Sequence, residues 1–191
     1  MVLVLAGCAT QGSFDESLEQ GQAVEADVPK VDPRATAAFE KALASVRAGK
    51  DAVAEKQLLA LREQFPDLSG PQVNLGIIYY RAGKFDVARS AFEKALEINP
   101  KSAVSLNYLG IISRNEGKFK EASGYYEKAL QIDPDYAYAH RNFGILLELY
   151  MGRLSEALSH YRRYQELTKQ QTGKEDAEAK KWIVELGRRV K

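Results

Sequence analysis

The stretch VNLGIIYYRAGKFDVARSAFEKALEINP, running from Val73 to Pro100, holds the unit on which the chain is built. Gly76, Gly110 and Gly144 stand 34 residues apart, and so do Pro66, Pro100 and Pro134. Gly49, Gly83, Gly117 and Gly152 step by 34, 34 and 35. A fixed period of this length marks a solenoid of stacked helical units, because one such unit cannot bury its apolar face alone.

Two helical patterns flank a turn within the unit. The first runs from about Pro71 to Ala82, with Leu75, Ile78 and Tyr79 at i, i+3, i+4 spacing. Gly83 breaks it, since glycine takes the positive φ that ends a helix. The second pattern carries Val87, Ala88, Ala91, Phe92, Ala95 and Leu96 on one stripe, and Pro100 stops it. Small residues are expected where backbones approach: Gly76 and Ala88 at the crossing of the two helices, Ala95 against the next unit. Leu75, Tyr79 and Phe92 fill the space around those contacts.

This pattern resembles the tetratricopeptide repeat. Leu75, Gly76, Tyr79, Ala88, Phe92, Ala95 and Pro100 carry the resemblance in one copy; Leu106, Leu109, Gly110, Ala122, Tyr126, Ala129 and Pro134 carry it in the next, where Ser113 replaces the usual tyrosine. A third copy has His140, Phe143, Gly144, Ala157 and Tyr161, then departs. It has an extra residue before Gly152, Tyr164 in place of the second alanine, and no closing proline. A worn copy upstream keeps Ala42, Gly49, Ala54, Leu58 and Pro66. The resemblance implies an all-α, right-handed helical-hairpin solenoid. Its units fall at 35–68, 69–102, 103–136 and 137–171, with a capping helix over 172–191. Thr172-Gly-Lys-Glu175 reads as a capping box that opens this last helix. Ala179, Trp182, Ile183, Leu186 and Val190 form its apolar stripe, and Trp182 is expected to pack. The basic residues around it (Lys180, Lys181, Arg188, Arg189 and Lys191) read as a solvated face or as a weak site for anionic headgroups or an acidic partner.

The beginning of the chain has a different character. Leu5-Ala6-Gly7-Cys8 resembles the bacterial lipobox, which implies cleavage before Cys8 and lipidation of its sulfur. Only seven residues precede Cys8 and none is basic, whereas a secretory signal needs a charged start. The charged region is therefore expected upstream of Met1. Ala9, rather than Asp, follows the cysteine, which by family analogy favours the outer membrane, facing the periplasm. Residues 9–34 hold six Asp/Glu against two Lys/Arg and no helical stripe, as a solvated tether would. A flexible coil of that length spans roughly 30 Å r.m.s..

Composition narrows the function further. A formal charge of +1 over 191 residues argues against a nucleic-acid binder working through a broad cationic field. One cysteine excludes an intramolecular disulfide or a multi-cysteine metal site. No HExxH, phosphate-binding glycine loop or GxSxG occurs, so no enzyme, cofactor or small-molecule substrate is expected. His140 is expected to pack and His160 to lie in solvent. Tyr79, Tyr126, Tyr150, Tyr161 and Tyr164 read as core or groove.

In the family it resembles, the first helix of each unit lines a concave groove that receives a protein or peptide. Matching positions give Phe39, Leu43 and Val46 in the worn copy, then Val73, Ile77 and Tyr80. Asn107, Ile111 and Arg114 follow, then Tyr138, Arg141, Ile145 and Glu148. The family's carboxylate clamp is not matched, because Ile77, Ile111 and Ile145 stand where it has asparagine. The expected groove is apolar with a polar edge, suited to an amphipathic helix or an extended peptide, unless the array's curvature or the tether covers it. Two readings follow: an envelope adaptor that holds other proteins, or a subunit that associates with its own copies.

Overall fold

A computed structural model describes residues 32–190. The Cys8 lipidation site lies outside them, as does the tether up to residue 31. Among the described residues there are nine helices: α1 Pro33–Arg47, α2 Asp51–Gln64, α3 Ser69–Arg81, α4 Phe85–Ile98, α5 Ala103–Asn115, α6 Phe119–Ile132, α7 Ala137–Leu149, α8 Leu154–Thr172 and α9 Ala177–Arg189. They pair as antiparallel hairpins, α1 with α2, α3 with α4, α5 with α6 and α7 with α8, and each hairpin stacks on the next. The first helix begins earlier than the composition of 9–34 implies. Asp32 caps α1, its carboxylate accepting from the Arg34 backbone N–H at 2.8 Å, and Pro33 fits the first turn, where its missing N–H costs nothing.

The hairpin turns are built by backbone geometry. Gly83 sits at φ 71°. This left-handed residue lets the Gly83 N–H reach the Tyr80 carbonyl and the Lys84 N–H reach that of Tyr79, at 3.0 and 2.9 Å. Those two bonds form a Schellman motif, which satisfies carbonyls that the helix end leaves bare. Ser45–Lys50 and Ser113–Lys118 repeat the same pair of bonds. The extra residue before Gly152 changes the fourth turn, where the Met151 N–H goes to Leu146 and the Arg153 N–H reaches back to Leu147.

Inside the last three hairpins an aromatic ring lies on a glycine. A methyl group added at Gly76 would come within 2.6 Å of the Phe92 ring, and at Gly110 and Gly144 within 2.6 Å of Tyr126 and Tyr161. No carbon approaches an aromatic ring so closely, so the glycine sets the distance between helices. Ala88, Ala95, Ala122, Ala129 and Ala157 are fully buried along the same seams. Val87 is different: the stripe expectation placed it in the core, yet it is 48% exposed. It lies one position before Ala88, in the first turn of α4, on the side turned away from α3. Tyr150, expected in the core or groove, is also exposed; it follows the end of α7 and rests its ring on Phe119, centroids 4.7 Å apart.

The last hairpin ends by a separate device. With no proline to stop it, α8 runs 19 residues to Thr172, and Gly173 closes it at φ 71°. Thr172 therefore does not open the final helix as a capping box. Its hydroxyl donates back to the Thr168 carbonyl and accepts from Lys174 N–H, and the cap of α9 is Asp176, which accepts from Glu178 and Ala179 N–H at 2.9 and 3.0 Å. Tyr164, which stands where the two preceding units have Ala95 and Ala129, gives its hydroxyl to the other oxygen of Asp176 at 2.7 Å. Burial, followed by this hydrogen bond, pushes the Tyr164 phenol well above its usual range. Ala179 and Trp182 of α9 pack with Tyr164, Leu167 and Ala137. A large ring on α8 thus meets a small residue on α9.

Candidate partner-binding face

The first helices α3, α5 and α7 lie side by side, and the ten residues expected in a groove are all on them. Six are buried: Val73, Ile77, Asn107, Ile111, Arg141 and Ile145. Four are partly exposed: Tyr80, Arg114, Tyr138 and Glu148. The isoleucine row packs in one apolar cluster with Ala88, Phe92, Leu109 and Leu146, so in this structure it contributes to the core. Phe39, Leu43 and Val46 of the worn copy are likewise buried, in a second cluster with Leu58, Leu61, Leu75 and Ile78. The face that solvent reaches is consequently more polar and aromatic than its sequence implies.

Its hydrogen bonds are only partly committed. Asn107 Oδ1 accepts from Asn142 Nδ2 at 3.0 Å across the seam between α5 and α7. Glu148 accepts from Arg189 of α9 at 2.7 Å and from the Tyr161 hydroxyl at 3.1 Å. Burial, helped by the Glu148 charge, raises the Tyr161 phenol far above its ordinary range, so it stays protonated and donates. Arg141 lays its guanidinium over the Trp182 ring, 5.7 Å from the centroid. Arg141 Nε and Arg114 Nη1 are both buried and without a hydrogen-bond partner. Aromatic rings continue the face: Tyr80 meets Tyr108 edge-on at 5.3 Å, and Tyr138 meets Tyr136 at 6.3 Å.

Reading position by position along the first helices missed three contributors. Trp182 and Arg189 arrive from α9, and Tyr161 from α8, none of which a one-helix-per-unit rule includes. Trp182 was visible as a member of the last apolar stripe, but its pairing with Arg141 requires knowing how α9 folds back.

A model of the tetratricopeptide repeat matches residues 67–135 and again 101–170, which together cover over half of the chain. The chain belongs to the tetratricopeptide repeat family. Comparison with curated proteins returned no match. Among solved structures, one described as the functional characterization of Pseudomonas aeruginosa pilF superposes with TM-score 0.68 at 18% identity, covering 80% of this chain and 67% of that one. MamA superposes with TM-score 0.60 at 20% identity, over 76% of this chain and 85% of that one. The first repeat domain of Spaghetti (RPAP3), bound to the HSP90 peptide SRMEEVD, does so with TM-score 0.56 at 20% identity, over 64% and 92%. At such identities the likeness is one of fold.

The tetratricopeptide array also brings its two histidines together, which the sequence reading did not foresee for His160. Nδ1 of His140 and Nδ1 of His160 are 2.9 Å apart, and His140 Nε2 lies 2.9 Å from the Pro134 carbonyl. That carbonyl can only accept, so His140 donates from Nε2 and its Nδ1 accepts from His160. His160 also meets the Phe143 ring at 4.7 Å. Burial, then the neighbouring His140, pushes the His160 imidazole down to about 4, and burial lowers His140. Among the described residues no group of three or more His, Cys, Asp or Glu is placed to hold a metal ion, and no helix is long and apolar enough to cross a membrane.

Proposed function

We propose that this chain is a non-catalytic scaffold of the bacterial envelope, anchored by a lipidated Cys8, that holds a protein partner on the face of α3, α5 and α7. One observation carries the partner-binding part: the tetratricopeptide array presents Tyr80, Arg114 and Tyr138 part-exposed on one face, with an unpartnered buried donor on Arg114 and another on Arg141. Aromatic rings and arginines are the side chains that concentrate binding energy at protein interfaces. Spaghetti shows an array of this fold with a peptide bound. The anchor rests on the LAGC stretch at residues 5–8, and the acidic residues that follow it in the sequence suit a solvated tether. Two acyl chains suffice for stable attachment where one is marginal. Outer-membrane placement, facing the periplasm, follows from Ala9 and belongs to the same proposal. Bringing partners to one membrane surface raises their effective concentration, which suits assembly of a pilus, secretion or cell-wall complex.

The test has two arms. With the full gene expressed, wild-type protein is expected in the membrane fraction with acyl mass on Cys8, and Cys8→Ser in the soluble fraction. In-cell crosslinking with Tyr138→Glu and Arg114→Glu, against the convex control Lys94→Glu, reads the face. A charge at Ile111 would report unfolding instead, since that side chain is buried. The two face variants should lose a crosslinked partner that Lys94→Glu keeps. Equal capture by all three would move the site elsewhere, and light scattering that shows a stable oligomer would favour self-association.

A further inference from the structure

His140 and His160 meet across the α7–α8 hairpin, and packing alone does not call for them. Counted from Gly144 and Gly110, His140 stands where the preceding unit has Leu106; counted from Tyr161 and Tyr126, His160 stands where it has Tyr125. Leu106 is buried in an apolar cluster against which Tyr125 packs. The α7–α8 hairpin holds two imidazoles instead, their centroids 5.1 Å apart and their Nδ1 atoms 2.9 Å apart. His140 gives its Nε2–H to the Pro134 carbonyl at 2.9 Å, which leaves a bare lone pair on Nδ1 aimed at the other ring. A histidine that binds a metal is held in the same way, its far N–H on a carbonyl and its near nitrogen toward the ion. Glu156, one turn before His160 on α8, is taken by Arg153, and Asp135, beside Pro134, by Arg163. The Phe143 ring walls one side, 4.7 Å from the His160 centroid.

We propose that the paired Nδ1 atoms of His140 and His160 form a two-coordinate site for copper(I). Zinc and other divalent ions call for four or more ligands, and among the described residues no group of three or more His, Cys, Asp or Glu offers them. Two nitrogen donors facing each other complete the shell of a monovalent d10 ion, and imidazole suits copper. Phe143 limits access for the water that a divalent ion would add to its shell. With metal–nitrogen bonds of about 2 Å the two nitrogens sit roughly 4 Å apart, so the rings open by about 1 Å from their present contact. The ion takes the place of the proton between the rings, and that proton moves to Nε2 of His160; no electron is transferred. The site lies within the α7–α8 hairpin and does not depend on what occupies the face of α3, α5 and α7.

Nitrogen-15 nuclear magnetic resonance of the histidine rings reads the site in the full chain carrying Cys8→Ser, in which no thiol competes for metal. Silver nitrate is the probe, because silver(I) is a monovalent ion of the same coordination habit that air does not oxidise. One equivalent is expected to shift the Nδ1 signals of both histidines together and to leave the His140 Nε2–H on the Pro134 carbonyl in place. Zinc sulfate at the same concentration should leave the ring nitrogens of both histidines unchanged. Copper(I) affinity, measured without oxygen by competition with bicinchoninate, should fall roughly tenfold or more in His140→Gln and in His160→Gln. A double variant, His140→Leu with His160→Tyr, copies the residues of the α5–α6 hairpin. It should stay folded by circular dichroism and bind copper(I) no better than either single variant. Silver that shifts only His160 Nε2, or neither histidine, would overturn the proposal. So would an equal response to zinc, or full copper(I) affinity in the double variant, since the pair would then serve the fold alone.

Discussion

Single residues set the distances in this array, and Gly110 shows how strictly. An added methyl group there meets the buried Tyr126 ring at 2.6 Å, too close for either side to hold its place. Overpacking of this kind typically costs about 1–3 kcal/mol, while alanine recovers only about 1 kcal/mol of helix propensity. Gly110→Ala is therefore expected to lower the melting temperature. Tyr126→Leu, which destabilises the parent, should cost less in the Gly110→Ala background, and a double-mutant cycle measures that coupling. The histidine pair is the other residue-scale device. Both imidazoles are held neutral in the fold, with His160 at about 4 against an ordinary 6.5. A depressed histidine makes the unfolded chain bind the proton first. Stability from the pair is therefore fully present above about pH 6.5 and falls as pH drops from there towards about 4. After discounting for partial exposure the loss is of order 1 kcal/mol. Thermal melts between pH 7 and pH 4 should show it, and a His140→Gln, His160→Gln double variant should flatten that part of the curve. An unchanged slope in the variant would mean the pair adds nothing.

At the scale of elements, α9 is held by one polar joint and one apolar strip. Asp176 caps the helix with one oxygen and receives the Tyr164 hydroxyl on the other. Removing a cap costs about 0.5–2 kcal/mol and a hydrogen bond about 0.5–1.5 kcal/mol. Asp176→Ala should therefore destabilise more than Tyr164→Phe, and the two should not add, because they share a bond. Urea titration of the four proteins decides the matter. Ending the chain at Gly173 should do more than either. Tyr164 and Leu167 would lose their cover, and light scattering should then find association that grows with concentration.

How far these elements could be read in advance depended on what fixed them. The hairpin turns were legible because Gly49, Gly83 and Gly117 each answer a local steric demand that only the identity of one residue meets. Thr172 misled because Thr-x-x-Glu fits a capping box by composition, while the missing proline let α8 run on through it. The groove was legible only in part. Spacing assigns Ile77, Ile111 and Ile145 to the correct helices, but their burial depends on how closely neighbouring first helices pack, which no single helix records. His160 was lost to the same cause, since its partner comes from a different helix.

Across the whole molecule, the core is divided. One apolar cluster spans α3 to α9 through Ile77, Leu109, Ile112, Leu146 and Leu186; another joins α1 and α2 to α3 through Phe39, Leu43, Leu58 and Leu75. Tyr79 touches both. In a solenoid each unit is stabilised only by its neighbours, so an end unit opens at lower cost than an inner one. Hydrogen exchange is expected to separate the amides into two classes. Those of α1 and α2 should exchange first, and those of α5 and α7 last. A single uniform class would show that the four hairpins open as one.

The tyrosine at position 164 decides where this protein could grow. Where the two preceding hairpins offer a flat alanine seat, Ala95 and Ala129, to the helix that follows, this one offers a ring already engaged with Asp176. Duplicating residues 103–136 in place would hand each new hairpin an alanine seat on one side and a matching first helix on the other. Appending the same segment after Thr172 would give it no seat at all. Length can therefore be added to this array only from within, and its last hairpin works as a terminus that travels with the C-terminal helix.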